Sequence, residues 1–329
     1  MPGDNKIAVS IIAAIALILI IAIALTFLYF WEKNHSDFSS DEDWEVADYI
    51  VYEGKKYTLR DDVGTFLLIG LDKFGEAVDV QGDSYNNDSR ADFLTLFVID
   101  HRSGSIATVA INRDTMAEMN VLGIGGKKVG TVVGQLALSH TYGSGGEDSG
   151  RNTARAVSGL LGGLKIDRFV SVTMDAVSTL NDMVGGVTVT VPEDLTAIDE
   201  SLTEGAVVTL HGELALNYVR YRQGLDDSTN AARMERQRQY MDALYLKLKD
   251  YVATNDGFSA DAVSSLSKYM ISSSSLSELE ELADHIEAYE SAGNRKIEGE
   301  FRVGEFMEFH ADDTSIKKIL VELFYEPEE

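Results

Sequence analysis

Runs of apolar residues divide the chain into a long uncharged segment, a polar stretch and a region of alternating strand and helix patterns. From Ile7 to Trp31 no charged residue interrupts 25 positions. At about 1.5 Å of rise per residue, this length suffices to cross a hydrocarbon core of roughly 30 Å. The segment is too long for a cleaved signal peptide, and no small-residue cleavage pattern follows it. We therefore expect residues 1–31 to form a short cytoplasmic tail and one transmembrane helix, a signal anchor in the cell membrane with the rest of the chain extracellular.

The pattern beyond the anchor predicts a stalk and then a mixed α/β domain. Residues 32–62 are polar and acidic, and their last part, YIVYEGKKYTL, suggests a small hairpin. Within 63–252, β-rich runs occupy 65–71, 93–100, 105–112, 168–174 and 187–192, whereas helical spacing occupies 132–143, 152–162 and 212–221. Such alternation predicts a mixed central β-sheet with helices on both faces, an α-β-α sandwich.

Residues 253–329 predict an α/β extension that packs on this domain. The segment 272–290 has the pattern of a capped acidic helix, 298–310 that of strand and 315–326 that of a closing helix. Ile316, Leu320, Leu323 and Phe324 share one apolar face of the closing helix. This face favours internal packing over binding of a partner.

The composition excludes some kinds of binding site and argues against one class of partner. The chain has 329 residues, no cysteine and a formal net charge of -26. The lack of cysteine excludes disulfides and thiolate metal sites. The acidic excess argues against nucleic acid as a partner, because a polyanion would be repelled over most of the surface.

Against this acidic background, five arginines lie between Leu216 and Gln239. Arg233, Arg236, Gln237 and Tyr240 follow the i, i+3, i+4, i+7 spacing of one helix face. Guanidinium groups bind phosphate oxygens in a bidentate manner, so the cluster suits a phosphate ligand. The alternative is an ordinary solvated face on which the arginines pair with neighbouring acidic residues.

Other charged residues stand at predicted strand ends. Asp72 follows one strand, Arg90 and Asp92 start the next, and Arg113 and Asp114 follow a third. Strand ends of a sheet carry loop-borne chemistry, so these side chains could surround one cleft, where Asp72 and Asp92 would supply oxygen ligands for Mg²⁺. Each pair taken alone is equally compatible with a local salt bridge.

These motifs carry a family resemblance. The ordered series LLIGLD (67–72), SRADFLTL (89–96), INRDT (111–115), LHGELALNYVRYR (210–222) and ARMERQRQ (232–239) is similar to the LytR-CpsA-Psr family of bacterial cell-envelope proteins. The resemblance implies a catalytic domain at 63–252. It also implies a phosphotransferase that moves a glycopolymer, teichoic-acid-like or capsular, from a polyprenyl-pyrophosphate carrier to peptidoglycan. The expected acceptor is the C6 hydroxyl of N-acetylmuramic acid.

The resemblance also implies roles for individual residues. Asp72 and Asp92 would hold Mg²⁺, and Asp114 would either orient Arg113 or accept the proton of the attacking hydroxyl. Apolar residues in 132–143 and 156–166 would line a tunnel for the polyprenyl chain, although apolar helix faces are usually buried in the core without a ligand. The pyrophosphate would be gripped by Arg90, Arg113, Arg220, Arg222, Arg233 and Gln237.

The sequence departs from the family pattern at two positions. Asn112 replaces a proline common before the Arg-Asp pair, which predicts a looser turn, and Asn230 stands where an aspartate is frequent.

Two alternative functions stay open. A non-catalytic receptor could bind the lipid-linked pyrophosphate or wall polymer, and a hydrolase would use water in place of the sugar hydroxyl. The complete set of arginines and aspartates favours the transferase.

Overall fold

A computed structural model describes the chain from residue 46 to residue 328, except for 78–88, 222–235, 278–288 and single positions in 237–256 and at 305. The predicted anchor at 7–31 lies outside the described residues. Among the residues that are described, no helix combines the length and the apolar character needed to cross a membrane.

The described residues form fifteen strands and five α-helices of defined extent. The strands are β1 (Tyr49–Tyr52), β2 (Lys55–Leu59), β3 (Val63–Leu71), β4 (Ala91–Asp100), β5 (Ser105–Ile111), β6 (Met116–Leu122), β7 (Lys128–Gln135), β8 (Arg168–Val172), β9 (Val187–Thr190), β10 (Val207–Leu210), β11 (Met270–Ser272), β12 (Glu290–Lys296), β13 (Gly299–Val303), β14 (Met307–Ala311) and β15 (Tyr325–Pro327). The helices are α1 (Gly146–Leu160), α2 (Met174–Met183), α3 (Gly212–Arg220), α4 (Phe258–Leu266) and α5 (Asp313–Phe324). Described residues between 236 and 254 are also helical.

A six-stranded sheet with the order β11-β8-β3-β4-β5-β12 forms the centre of the fold. β3 is antiparallel to β4 and β4 to β5, whereas β3 pairs with β8 and β5 with β12 in parallel. The carboxyl ends of β3, β5, β8 and β12 therefore share one edge with the amino end of β4. We call this edge the polar edge of the sheet.

Both faces of the sheet are covered, which explains the uninterrupted apolar runs of β3 and β4. Phe66 and Leu68 enter one core with α2, α3, α4 and the helical residues after 236. Leu67 and Ile69 enter a second core with α1 and α5. The predicted α-β-α architecture is thus confirmed in the described residues.

The segments flanking the main motifs are part of the same structure. The predicted hairpin is present as β1 and β2, and β2 also pairs with the C-terminal β15. Beyond residue 253 the chain supplies both edge strands of the central sheet, β11 and β12. The closing helix is confirmed as α5, whose Ile316 and Phe324 are buried. The strand pattern at 298–310 is the hairpin of β13 and β14, while most of the predicted acidic helix at 272–290 lies outside the described residues.

The helix predicted at 132–143 is wrong. Residues up to Gln135 belong to β7, which pairs antiparallel with β6, and only Leu136–Leu138 form a 3-10 turn. The apolar residues there fit helical spacing because β7 is apolar on both faces: Val132 packs against the core, whereas Val129 and Val133 are exposed. Periodicity alone does not separate such a strand from a helix.

We predict that Gly150→Ala destabilises the fold although alanine favours helix. A Cβ atom at Gly150 would overlap the buried ring of Phe169, because α1 lies closest to the sheet there. Overpacking of this kind costs roughly 1–3 kcal/mol, more than the gain of up to about 1 kcal/mol in helix propensity. Urea unfolding of the full chain in mild detergent measures the difference. Ser158→Ala on the same helix is the control, and a stability of Gly150→Ala equal to that of this control would contradict the prediction.

Candidate functional site

The polar edge of the sheet brings together charged residues that are far apart in the sequence. Asp72 directly follows β3, and its backbone N–H donates to the carbonyl of Arg90, 3.0 Å away. Asp92 lies at the start of β4, and Arg113 and Asp114 lie just after β5. Antiparallel pairing of β4 with both neighbours fixes these positions side by side.

A β-bulge presents Asp92 at this edge. Gly70 pairs with Phe93 and Leu71 pairs with Ala91, so Asp92 is the extra residue of β4. Bulges bend a strand and redirect the side chain of the inserted residue. The bulge also needs Gly70, because a Cβ atom there would lie only 2.8 Å from the Cβ of Phe93.

Arg113 is held between two carboxylates. Its Nη1 is 2.5 Å from Asp92 Oδ2, and its Nε is 3.6 Å from Asp114 Oδ1. The Arg113 and Asp92 side chains are 28% and 19% exposed, so the pair is partly screened from water and its attraction exceeds that of a surface pair. Asp92 is therefore the residue that orients Arg113, and Asp114 is the weaker partner.

The turn that carries Arg113 and Asp114 is tightly hydrogen bonded. The Asp114 N–H donates to Asn112 Oδ1 over 2.9 Å, and the Thr115 N–H and hydroxyl both donate to the Asn112 carbonyl. Whether this turn is looser than one with proline stays a prediction, but the hydrogen bonds of Asn112 close it. The amide side chain closes the turn with a bond that proline cannot make.

His140 supports the segment that leads into Arg90. Its ring is 3% exposed, and Nδ1 lies 3.1 Å from the carbonyl of Ser89. Burial lowers the pKa of His140 to about 4, and the charge of nearby Lys73 lowers it further, while the bond to Ser89 acts in the opposite direction. The histidine is therefore neutral at physiological pH and holds the backbone beside exposed Arg90.

Arg220 reaches the same edge from the end of α3. Its guanidinium carbon lies 4.2 Å from the centre of the Phe74 ring, a cation–π contact. The loop of Phe74 is fixed because Gly75 N–H donates to Asp175 Oδ2 at 2.5 Å and Thr173 Oγ1 donates to the Gly75 carbonyl at 2.9 Å. Arg220 is thus linked to the loop that begins with Asp72.

One arginine of the sequence cluster has a structural role. Arg236 is 2% exposed; its Nε donates to the Tyr218 carbonyl at 3.2 Å, its Nη2 donates to the Tyr221 carbonyl and its Nη1 pairs with Glu193. The prediction that Arg236 is presented at an open helix edge is therefore wrong. Its guanidinium instead caps the carboxyl end of α3. The predicted binding residues Arg222, Arg233 and Gln237 and the departure at Asn230 lie outside the described residues.

Asp72 and Asp92 are the residues at the polar edge that would hold a magnesium ion. Asp92 Oδ1 is buried and has no hydrogen-bond partner among the described residues, whereas Oδ2 is used by Arg113. An unpartnered carboxylate oxygen is costly unless a ligand compensates it. No cluster of three or more His, Cys, Asp or Glu suited to a metal occurs in the described part of the chain. Mg²⁺ in phosphate-transfer sites needs only one or two carboxylates, with substrate phosphates and water completing its shell.

Three residues at this edge were missed by sequence reasoning: Phe74, Gln135 and His140. Gln135 and His140 fell inside the segment that was interpreted as an apolar helix. Phe74 follows Asp72 by two positions, which is the only sequence signal that points to it.

We predict that His140 makes the fold sensitive to acid. Because its pKa of about 4 in the folded state lies below the unfolded value of 6.5, the unfolded chain takes up the proton first as pH falls. Stability from this group is fully present above pH 6.5 and is lost between about pH 6.5 and 4, amounting to about 2 kcal/mol at pH 4.5. His140→Gln keeps a donor for the Ser89 carbonyl without titrating. Urea unfolding at pH 7 and 4.5 should show a smaller loss for His140→Gln; equal losses would refute this assignment.

Comparisons with solved structures agree on the fold. Over 80% of this chain, the structure aligns with 86% of protein gbs0355 from Streptococcus agalactiae, with a TM-score of 0.60 and 19% identity. It aligns with 90% of a structure described as TagT bound to LI-WTA, with a TM-score of 0.56 and 20% identity over 80% of this chain. These identities establish a shared fold alone.

Curated relatives are similar over part of their length. The chain is 29% identical over 183 residues to a polyisoprenyl-teichoic acid–peptidoglycan teichoic acid transferase, TagU of Bacillus mycoides strain KBAB4, covering 56% of this chain and 52% of the relative. It is 26% identical to TagV of Bacillus subtilis strain 168, a transferase of the same description, covering 63% of this chain and 50% of that protein. The chain thus spans about half the length of these relatives. The family model described as the LytR_cpsA_psr family matches residues 31–319, and the chain belongs to this family.

Proposed function

We propose that this protein is a phosphotransferase that moves a glycopolymer from a polyprenyl-pyrophosphate carrier to peptidoglycan. The polymer would be teichoic-acid-like or a capsular polysaccharide, and the acceptor would be the C6 hydroxyl of N-acetylmuramic acid. The similarity to proteins named as teichoic acid transferases supports the class of reaction. The observation that carries the proposal is the convergence of Arg113, Asp92 and Asp114 at the polar edge of the sheet.

The side chains at this edge suit a doubly charged pyrophosphate diester. Arg113, Arg90 and Arg220 come from three separate segments whose backbones are fixed by strand pairing, a buried histidine and a pinned loop. Preorganised cations stabilise negative charge on a leaving phosphate without rearranging during the reaction. In our proposal Arg222, Arg233 and Gln237 complete the grip on the pyrophosphate.

The acceptor hydroxyl oxygen attacks the phosphorus next to the glycopolymer and forms a new phosphodiester bond. The bond from that phosphorus to the bridging oxygen breaks, and polyprenyl phosphate leaves with the electron pair. Asp114 receives the hydroxyl proton in this scheme. The closer approach of Asp92 to Arg113 supports this role for Asp114, because Asp92 alone orients the arginine and leaves Asp114 available as a base.

A magnesium ion, when bound by Asp72 and Asp92, would neutralise charge on the phosphate oxygens.

We further propose that the 7–31 segment anchors the protein in the cell membrane with the catalytic domain outside. This location would keep the polar edge near a substrate whose lipid tail stays in the bilayer. Apolar residues of α1 within 156–166 pack in the second core in the present structure, which is consistent with either core packing or a tunnel wall.

The competing candidates differ in what happens after binding. A receptor would hold the lipid-linked pyrophosphate without turnover, and a hydrolase would release glycopolymer phosphate to water. The unpartnered oxygen of Asp92 favours a catalytic site, because a binder that relies on arginines alone does not need a buried carboxylate there.

Transfer of polymer by wild type and variants is the principal test. The full chain in mild detergent is incubated with a polyprenyl-pyrophosphate glycan, Mg²⁺ and peptidoglycan, and attached polymer is measured. We expect Arg113→Ala and Asp92→Ala to lower the rate by roughly 10²-fold or more, since each removes transition-state charge stabilisation. Arg102→Ala is the matched control, because Arg102 is 57% exposed and pairs with Glu326 at the end of the sheet opposite the polar edge.

The outcomes separate the three candidate functions. Equal attachment by wild type, Arg113→Ala and Asp92→Ala would reject the proposed site. Tight lipid binding without turnover would identify a receptor. Release of polymer phosphate into solution in place of attachment would identify a hydrolase.

Magnesium dependence gives a second prediction. Chelation of divalent cations should stop transfer, and added Mg²⁺ should restore it. Asp92→Asn keeps the side-chain shape and removes the charge, so it should raise the Mg²⁺ concentration for half-maximal rate by roughly tenfold. An unchanged Mg²⁺ requirement in Asp92→Asn, or full activity in chelator, would contradict the proposed ligand.

A further inference from the structure

The C-terminal hairpin of β13 and β14 contacts the residue that the proposed reaction uses as its base. The Phe309 N–H of β14 donates to the backbone carbonyl of Asp114 at 2.8 Å. Phe309 is buried, with its ring 5.0 Å from that of Phe301 across the hairpin. This side chain fixes the register of β14 against the turn that carries Asp114, and an isolated bridge between Thr115 and Phe309 continues the contact.

Gln135 links this hairpin to the carboxylate. It is the last residue of β7, opposite Met116, and its side-chain Nε2 donates to Asp114 Oδ1 at 3.1 Å and to the Met307 carbonyl at 2.7 Å. An amide nitrogen has two hydrogens, so both bonds can form at once. The Met307 carbonyl thereby sets the orientation of the amide, and the amide in turn directs a donor at Asp114.

The bond from Gln135 opposes a competing arrangement. Asp114 Oδ1 is 3.6 Å from Arg113 Nε, a separation at which a small rotation would close a direct ion pair. Such a pair would place a full positive charge against the carboxylate, which lowers its tendency to accept a proton, and would also draw Arg113 from Asp92. The amide of Gln135 is a neutral donor to the same oxygen and holds Asp114 without adding a charge.

We propose that Gln135, fixed by the Met307 carbonyl of the C-terminal hairpin, is a positioning residue that keeps Asp114 aimed at the acceptor hydroxyl. This inference rests on the proposed transferase function. It gives the C-terminal hairpin a part in the reaction. Gln135 acts through Asp114 and touches neither of the proposed magnesium ligands in the described contacts.

The test compares three replacements of Gln135 in the full chain, using the transfer assay with the polyprenyl-pyrophosphate glycan and peptidoglycan. Gln135→Leu removes the donor at similar volume, Gln135→Glu replaces it by an isosteric acceptor, and Gln135→Lys keeps donors on a flexible chain. Thr131→Ala is the matched control because Thr131 lies four residues before Gln135 on the same face of β7, further from Asp114, and is exposed. For each variant, kcat, KM for the lipid donor and the unfolding midpoint are measured.

We expect kcat of Gln135→Leu to fall roughly tenfold with KM within about twofold of wild type, because one bond to a charged group is lost and the arginine grip is untouched. Gln135→Glu should be slower still, because its charge repels Asp114, and Gln135→Lys should also be slower than Gln135→Leu, because its cation pairs with Asp114 as Arg113 would. Thr131→Ala should match wild type throughout.

Three results would overturn the inference. The first is a wild-type kcat in both Gln135→Leu and Gln135→Glu. The second is an equal loss of kcat in Gln135→Leu and Gln135→Lys. The third is a loss of kcat that parallels a fall in unfolding midpoint across all three variants. Transfer by wild type in any of these cases would leave the proposed function intact. No transfer by wild type would reject the proposed function and this inference together.

Discussion

The ion pair between Arg113 and Asp92 is the interaction on which the rest of the site depends. It joins the ends of two adjacent strands at 2.5 Å, in a protein whose net charge of -26 works against gathering further carboxylates. Because both groups are partly buried, removal of either leaves the other with an uncompensated charge. The pair also uses only one oxygen of Asp92. The other oxygen is buried and has no hydrogen-bond partner among the described residues, so its charge is not balanced by the protein groups described here.

The backbone around this pair was predictable only in part. Strands β3, β4 and β5 follow from apolar runs, and the charged residues at their ends follow from their position in those runs. The bulge at Asp92 does not, since it depends on which residue of β4 pairs with Gly70. The end of β7 was predicted as part of a helix at 132–143 because both faces of this strand carry apolar residues, and this error hid Gln135 and His140.

Arginine and aspartate occur together at both edges of the sheet, and sequence alone does not separate the two sets. At the opposite edge, Arg60 lies 2.9 Å from Asp62 and 2.8 Å from Asp100, so the guanidinium is satisfied on two sides. Arg236 is likewise satisfied, by carbonyls and a glutamate from segments distant in the chain. In each case the role is decided by long-range partners. A helical spacing that favours phosphate binding is also compatible with an arginine that caps a neighbouring helix.

The elements that support the polar edge come from the whole chain. Phe74 depends on α2, Arg220 on α3, and Asp114 on both β7 and the C-terminal hairpin. Each charged side chain is therefore fixed by a different packed element, which limits how far any one of them can relax toward an opposite charge when no ligand is bound. Arg113 and Asp92 are in direct contact, whereas Asp114 is held 3.6 Å from Arg113, which costs part of the free energy of folding. Such a cost is expected where the charges act on a substrate whose own charge changes during the reaction. Charged groups that are already in place do not have to reorganise when the substrate charge changes.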